Sequence, residues 1–298
     1  MTTAPTALAA DDLVLCSGTL GPRTSWLDKV DAAGRAGFRG VSIYVHEYVA
    51  ALDAGTPASR LRRAVDEHEL RVGEVDGPIR WLPEHARDRP DRRPLVDVDQ
   101  FLRIADVLGA RSLTVLEPWF VPIAADAELD RAAEAFARLC DRATEVGVVA
   151  HLEAYPWSGV PDSRTAYEIV RRAARPNGGI VIDTWHLWRG PDRGALAPDI
   201  PGAAVLGIQL ADALAQPVGQ LPEECTRRRL LPGQGVAAPA SVLAELRRRG
   251  CVAPVGVEVF SDRLRAMPPD RAAGLAFAAT QRCLHGGVAW MSDRKSVV

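Results

Sequence analysis

Four polar side chains that could hold a metal ion follow short apolar runs in the second half of the chain. The runs are "VVAHLEAYPW", "GIVIDTWH", "AVLGIQLAD" and "VGVEVF", and they carry Glu153, Asp183, Gln209 and Glu258. The two-residue period of a strand puts each of these side chains on the same face as the residue two positions earlier. Three carboxylates gathered in a protein interior repel one another and lose hydration, which costs on the order of several kcal/mol without a compensating cation. A divalent metal ion is the natural compensator.

The donor atoms indicate which metal would bind. Three carboxylates and the amide oxygen of Gln209 form an all-oxygen set, which suits Mn²⁺ or Mg²⁺, with Co²⁺ as a further candidate, better than the nitrogen- and sulfur-rich sites of zinc. For any single carboxylate, a salt bridge at a strand end is the competing interpretation. The four together favour a metal site, in which Glu153 and Glu258 also act as the catalytic acid and base.

The segment after Asp183 carries further candidate site residues. His186 lies three residues beyond it and is predicted to bind a substrate oxygen as a neutral imidazole. Trp185 and Trp188 are predicted to form an apolar, substrate-binding wall that excludes water from the charged chemistry. An ordinary histidine packed between the two tryptophans is the alternative interpretation of His186.

The elements that must position these residues alternate along the chain. Short β-branched runs are followed by amphipathic segments rich in alanine, leucine and arginine, which is typical of βα units around a parallel sheet. Eight units in 298 residues predict a single α/β domain, a (β/α)8 TIM barrel, whose active site lies at the carboxyl ends of the strands. The predicted strands are 13–16, 41–44, 71–75, 112–116, 148–153, 180–183, 205–210 and 255–259. The predicted helices are 25–36, 58–70, 96–108, 128–146, 163–174, a weak one at 194–197, 240–249 and 270–284.

A doubly wound sheet is the competing architecture. It would normally carry a glycine-rich phosphate turn after an early strand, and "GTLGPRTSW" does not match that pattern. No internal linker divides the chain. We expect a loose arm over 1–10, the barrel over 11–286 and a C-terminal tail over 287–298.

Composition excludes several classes of protein. A net charge of -2 gives no general attraction for nucleic acid, and no apolar run approaches the roughly 20 residues of a membrane span. The N-terminus lacks the features of a signal peptide, so a cytoplasmic location is expected. Five scattered cysteines without a C-x-x-C pair are expected to be reduced and mostly buried.

The ordered motifs resemble a known family. In order and spacing, "EAYPW", "IDTWHLWRG", "GIQLAD", "LLPGQG" and "VGVEVFSD" are similar to the sugar phosphate isomerase/epimerase family, which has the xylose isomerase-like TIM barrel. That family includes ketose 3-epimerases, inosose dehydratases and 3-dehydroshikimate dehydratases. The resemblance is strong from about Val148 to Leu284 and general before it.

The resemblance implies a metal held by Glu153, Asp183, Gln209 and Glu258, with His186 binding substrate. Ketose epimerases usually carry histidine at the third ligand position, whereas 3-dehydroshikimate dehydratases carry glutamine there, as this chain does at Gln209. The arginine run before the "PGQG" turn is either a solvated loop or a partner for a substrate carboxylate or phosphate, and we predict Arg228 as the substrate contact.

These features predict a divalent-metal-dependent isomerase or epimerase of carbohydrate metabolism, acting on a sugar, ketose or cyclitol. A proton next to a carbonyl is removed through a metal-stabilised enediolate. The alternative is a lyase, a dehydratase of the 3-dehydroshikimate or inosose type. An endonuclease is disfavoured because only six histidines occur, and a non-catalytic barrel because clustered carboxylates would be costly to keep. The expected partner is a small polyhydroxy carbonyl substrate, and a homo-oligomer is left open.

The substrate itself is not determined by the sequence. It depends on loops of the first half, whose polar and aromatic candidates are each more often structural than catalytic. They are His46, Glu47, Glu74, Arg80, Trp81 and Glu117.

Overall fold

Eight parallel strands close into a barrel in the order of the chain, and the last strand pairs with the first. The computed structural model describes residues 7–92 and 94–285. The strands are β1 Leu13–Leu15, β2 Gly40–Tyr44, β3 Arg71–Asp76, β4 Ser112–Val115, β5 Val149–Glu153, β6 Gly178–Asp183, β7 Val205–Leu210 and β8 Val255–Val257. The predicted (β/α)8 barrel is confirmed, and all eight predicted strands are present with ends shifted by at most two residues.

Helices surround the barrel and fill the connections. They are α1 Trp26–Ala36, α2 Val45–Asp53, α3 Ala58–Glu67, α4 Val98–Leu108, α5 Asp126–Glu145, α6 Ser163–Ala173, α7 Thr184–Arg189, α8 Leu221–Arg227, α9 Pro239–Arg248, α10 Asp262–Arg265 and α11 Pro269–His285. Four of them, α2, α7, α8 and α10, were not predicted from the sequence pattern.

The helix after β6 differs from the prediction. The weak helix predicted at 194–197 is wrong, because that stretch contains no helix, and α7 begins immediately after Asp183 instead. Its start is fixed by Asp183, whose Oδ1 accepts hydrogen bonds from the backbone N–H groups of Trp185 and His186. An aspartate in this position satisfies N–H groups that have no partner within the helix.

The alternation within β6 sorts side chains between two environments. Ile180 and Ile182 belong to the hydrophobic core outside the barrel wall, whereas Val181 and Asp183 face inward. Asp183 is in register with Gln209 on β7, so the two side chains lie on the same face at the same height. Alternate side chains of β6 therefore belong to the hydrophobic core and to the interior of the barrel.

The remaining sequence expectations concern cysteines, membranes and chain ends. All five cysteines are free and buried, as predicted. None of the helices in 7–92 and 94–285 combines the length and apolar character that crossing a membrane requires. The predicted tail over 287–298, and residues 1–6 of the predicted arm, lie outside the described residues.

Candidate active site

A cavity of about 730 Å³ opens at the carboxyl ends of the strands. Glu153, His186 and Glu258 line it together with aromatic side chains. This is the end of the barrel at which TIM barrel enzymes carry their active sites. The further lining residues that bear on its chemistry are Lys29, Tyr44, His46, Glu47, Asp76, Phe120, Tyr155, Trp157, Arg229, Phe260 and Arg265.

Three of the predicted site residues form a tight buried cluster. Glu153 ends β5, Asp183 ends β6 and His186 lies in the first turn of α7. One ligand atom from each of them lies within 4.8 Å of the others.

The most conspicuous residue of the site is Arg229, which is only 1% exposed. Its Nη1 donates to Asp183 Oδ2 at 2.5 Å and to Glu258 Oε2 at 3.4 Å. Its Nη2 donates to His186 Nε2 at 3.1 Å and to Cys225 Sγ. The charge argument from the sequence required a cation among these carboxylates, and the protein supplies one of its own.

Arg229 divides the carboxylates into two classes. Burial raises the pKa of Asp183, but the charge of Arg229 and the hydrogen bonds outweigh burial, so that pKa lies below its ordinary value. Burial raises the pKa of Glu153 well above its ordinary value, and the charges of Glu258 and Asp183 raise it further. Burial likewise raises the pKa of Glu258, against the opposing effect of Arg229. Asp183 is thus a fixed anion, whereas Glu153 and Glu258 are able to hold protons.

Burial also determines the state of His186. It lowers the pKa of the imidazole to about 3, so the ring is neutral at physiological pH. Because a guanidinium can only donate, the bond from Arg229 makes Nε2 the acceptor and assigns the ring proton to Nδ1. Nδ1 has no hydrogen-bond partner among the described residues.

Gln209 presents its amide oxygen without a protein partner. Its Nε2 donates to the two carboxylate oxygens of Glu74 at 3.4 and 3.5 Å, while its buried Oε1 has no partner among the described residues. Glu74 also accepts from Thr114 Oγ1 and Cys16 Sγ. Hydrogen bonds from His151, Thr114 and Cys16 outweigh burial and hold the pKa of Glu74 below its ordinary value.

These residues fit a divalent metal ion. The amide oxygen of Gln209 is buried and has no hydrogen-bond partner among the described residues. Gln209 lies on β7, between β6, which ends at Asp183, and β8, which Glu258 follows. Buried polar atoms are rarely left unpaired in native proteins. Asp183 Oδ2 accepts one hydrogen bond and retains a second acceptor site. Oxygen donors with a nearby imidazole match the chemistry of Mg²⁺, Mn²⁺ and Co²⁺ sites.

One sequence-predicted substrate contact, Arg228, does not line the cavity. Arg228 is 47% exposed and pairs with Glu223 on the surface, so the arginine of the run that reaches the cavity is Arg229. Arg228 and Leu230, on either side of Arg229, form isolated antiparallel bridges with Ser261 and Asp212, and these bridges fix the position of the segment.

The apolar wall also differs from the prediction. Trp185 is fully buried and packs edge-on against Trp157, and Trp188 packs against Gly194 outside the cavity. The aromatic side chains that line the cavity beside His186 are Tyr155 and Trp157, whose ring centroids lie 5.7 and 5.5 Å from the imidazole. They belong to "EAYPW", which directly follows β5.

Some of the candidate residues from the first half of the chain line the cavity, and others hold the loops around it. His46 and Glu47 line the cavity, and Glu47 accepts from the buried Lys29 Nζ at 2.5 Å. Glu117 is fully buried and accepts from three backbone N–H groups, those of Trp119, Val121 and Gly159. It therefore ties the loop after β4 to the loop after β5.

Two other candidates, Arg80 and Trp81, do not line the cavity, whereas two residues that were not predicted do. Arg80 pairs with surface aspartates, and Trp81 donates to the carbonyl of Leu116. Tyr44 and Asp76, which the sequence analysis did not single out, line the cavity, and the Tyr44 hydroxyl donates to Glu258 Oε1 at 3.3 Å. Both end their strands, which was the available signal for a site residue.

The "PGQG" turn has a supporting role. Asp212, just after β7, accepts four backbone hydrogen bonds, from Ala213, Gly233, Gly235 and Ala237. Gln234 between the two glycines is exposed. The motif thus fixes the loop that carries Arg229.

Comparison with known proteins places the chain in a family. The family described as the xylose isomerase-like TIM barrel matches residues 30–283. The chain belongs to this family. The family is one of enzymes, and it agrees with the resemblance drawn from the motifs.

Two curated relatives carry the same name, 3-dehydroshikimate dehydratase. The one from Pseudomonas aeruginosa is 30% identical over 260 residues, and the one from Pseudomonas putida is 27% identical over 256 residues. Each alignment covers 86% of this chain but only 38% of the relative, so the chain spans about two fifths of the length of these proteins.

Among solved structures, the IOLI protein, crystallised with a bound zinc atom, has the same fold. The TM-score is 0.79 at 18% identity, and the alignment covers 93% of this chain and 99% of that one. A protein with this fold can therefore hold a zinc atom.

Proposed function

We propose that this protein is a metal-dependent hydro-lyase that removes water from a cyclic polyhydroxy ketone of the 3-dehydroshikimate type. The observation that carries the proposal is the pair Glu153 and Glu258. Both are buried, and both line one cavity beside the Asp183–Arg229 ion pair. Two carboxyl groups that face one cavity are what a reaction with one proton removal and one hydroxyl departure requires.

The metal would be held by Glu153, Asp183, Gln209 and Glu258. When bound, a divalent ion would polarise the carbonyl oxygen of the substrate and favour loss of the neighbouring proton. His186 lies close to Glu153 and Asp183. Because its Nε2 accepts from Arg229, the Nδ1–H is the group left to hold a substrate oxygen.

The two glutamates, Glu153 and Glu258, carry out the proton transfers of the reaction. One glutamate takes the proton from the carbon next to the carbonyl, and the electrons of that C–H bond form the new carbon–carbon double bond. The β-hydroxyl departs with a proton from the second glutamate, so one molecule of water leaves. Tyr44, which donates to Glu258, orients that carboxyl group toward the cavity. Tyr155 and Trp157 supply an apolar wall that limits access of bulk water.

Two considerations favour dehydration over isomerisation. Gln209 stands where the resemblance puts histidine in ketose epimerases, and the curated relatives are named 3-dehydroshikimate dehydratase. An epimerase remains the second candidate. It is supported by the same two acids, because a proton taken by one glutamate and returned by the other to the opposite face would invert a stereocentre.

The two candidates are separated by absorbance. Protein loaded with Mn²⁺ is incubated with 3-dehydroshikimate and with a panel of ketoses. Dehydration creates a conjugated double bond and a new ultraviolet band, whereas epimerisation leaves the spectrum unchanged but incorporates deuterium from D₂O. Failure to act on any of these compounds, or to bind Mn²⁺, would overturn the proposal.

Variants test the two acids directly. Glu153→Gln and Glu258→Gln are each expected to lower kcat by about 10²- to 10⁴-fold, the usual contribution of a general acid or base. Glu223→Gln is the control, because Glu223 is a half-exposed glutamate that pairs with Arg228 on the surface. Near-normal turnover in both site variants would exclude the assigned roles.

A further inference from the structure

Three lysine or arginine side chains line the cavity in the described part of the chain, and two of them are neutralised by the protein. Lys29 pairs with Glu47, and Arg229 pairs with Asp183 and Glu258. The guanidinium of Arg265 lines the cavity and hydrogen-bonds to backbone carbonyls, and Asp262 and Glu258 act on it only through their charge. One positive charge of the cavity therefore has no contacting carboxylate among the described residues.

Arg265 is held in place by neutral groups. Its Nη1 donates to the carbonyl of Thr226 at 2.8 Å and its Nη2 to the carbonyl of Gly18 at 3.1 Å. Its Nε is buried and has no acceptor among the described residues. These contacts use two of the five N–H donors of a guanidinium, and they orient the group without cancelling its charge.

The fold makes room for this side chain. Gly21, in the loop after β1, has a φ of 76°, and a Cβ there would lie 2.7 Å from Arg265 Cγ. The guanidinium carbon lies 5.3 Å from the centre of the Phe260 ring, a distance at which a cation is attracted to an aromatic face. Arg265 is thus a preorganised cation on a short helix that follows β8.

Arg229 cannot serve as the anion-binding group in its place. Its Nε donates to the carbonyl of Cys225, and its two Nη atoms are committed to Asp183, Glu258, His186 and the Cys225 thiol. A substrate anion would have to displace one of these bonds. The uncommitted donors belong to Arg265.

We infer that Arg265 binds a carboxylate of the substrate and thereby selects carboxylated ring compounds over neutral sugars. The inference rests on the proposed function, which supplies a cyclic hydroxy ketone that carries a carboxylate. A guanidinium with free N–H donors on adjacent nitrogens can form two parallel hydrogen bonds to a carboxylate. A neutral sugar would leave this charge uncompensated.

Binding of unreactive ligands tests the inference apart from turnover. Affinities for shikimate and for shikimate methyl ester are measured by calorimetry with the Mn²⁺-loaded protein and its variants. Arg265→Gln is expected to weaken shikimate binding by about 10- to 100-fold, the value of a charge-assisted hydrogen bond, and to leave ester binding unchanged. Arg265→Lys is expected to retain part of the affinity. Arg263→Gln is the matched control, because Arg263 is exposed on the same short helix.

The outcomes separate this inference from the proposed function. Equal loss of both ligands in Arg265→Gln, or no loss of shikimate, would overturn the carboxylate contact even if the protein dehydrates 3-dehydroshikimate. Selective loss of shikimate in a protein that dehydrates nothing would support the contact and refute the proposed reaction. In an active enzyme, the supporting result is a KM for 3-dehydroshikimate raised about 10- to 100-fold in Arg265→Gln, with kcat nearly unchanged.

Discussion

Arg229 Nη1 lies 2.5 Å from Asp183 Oδ2, and both side chains are almost completely buried. The pair links the end of β6 to the loop after α8, which are 46 positions apart in the chain. A buried pair of this kind gains Coulomb energy but loses the hydration of both ions, so its net value depends on keeping both partners. The charge of Arg229 holds the pKa of Asp183 below its ordinary value, whereas burial raises the pKa of Glu153 and Glu258 in the same site.

Removing the arginine alone should therefore be costly. Arg229→Met leaves Asp183 as a buried charge without its partner, and we expect a loss of about 3–5 kcal/mol in the free energy of unfolding. Urea denaturation of the metal-free protein measures the loss. Arg228→Met is the control, since its exposed pair with Glu223 contributes at most about 1 kcal/mol. Equal stability of the two variants would contradict the assigned role of Arg229.

Glu74 should control the orientation of the Gln209 amide. An ionised Glu74 only accepts hydrogen bonds, so it attracts Nε2 of Gln209 and leaves Oε1 for a metal. In Glu74→Gln the new amide can donate to Oε1 and allow the Gln209 amide to turn over. We expect the affinity for Mn²⁺, measured by calorimetry, to fall about 10- to 100-fold, the usual cost of losing a group that orients a ligand.

The same Glu74→Gln substitution in a Gln209→Glu protein distinguishes an effect on the orientation of residue 209 from an effect of the Glu74 charge. A carboxylate at position 209 has two equivalent oxygens and needs no orienting partner. In a Gln209→Glu protein, Glu74→Gln should therefore not weaken Mn²⁺ binding. Equal weakening in both backgrounds would mean that Glu74 attracts the metal only through its charge.

Asp212 should be needed to hold the loop that carries Arg229. Its carboxylate accepts four backbone N–H bonds at 2.8–3.0 Å, and Asp212→Asn replaces one acceptor oxygen by a donor. We expect a loss of about 2–4 kcal/mol in the free energy of unfolding, from hydrogen bonds to a charged group that are no longer made. Hydrogen exchange should show the amides of Gly233 and Gly235 losing protection first. Unchanged exchange at these two amides would count against the role.

Local patterns were sufficient to predict the barrel. Eight β-branched runs separated by amphipathic segments gave eight strands in the right places, because strand and helix periodicities are local properties of the chain. The short helix α7 could not be separated from a loop in this way. Its start depends on the Asp183 carboxylate accepting two backbone N–H groups rather than on an apolar period.

The acidic part of the site also followed from the sequence. A polar residue that ends a buried strand in a parallel barrel must face the same mouth as its counterparts, so Glu153, Asp183 and Glu258 were predicted together. The neutralising cation was not predicted from the sequence. The choice between Arg228 and Arg229 depends on which of the two side chains faces inward, and that depends on the pairing of this segment with Ser261 and Asp212, which are distant in the sequence.

By itself, then, the sequence determined the barrel, the strand ends and the acids that meet at its mouth, since each follows from periodicity and strand direction. Only the tertiary structure decided which arginine is buried, which aromatic residues form the wall, and how Gln209 is oriented. Those features depend on contacts between segments far apart in the chain, such as Glu74 with Gln209 and Arg229 with Asp183. The residues next to each of these positions in the sequence do not indicate such contacts.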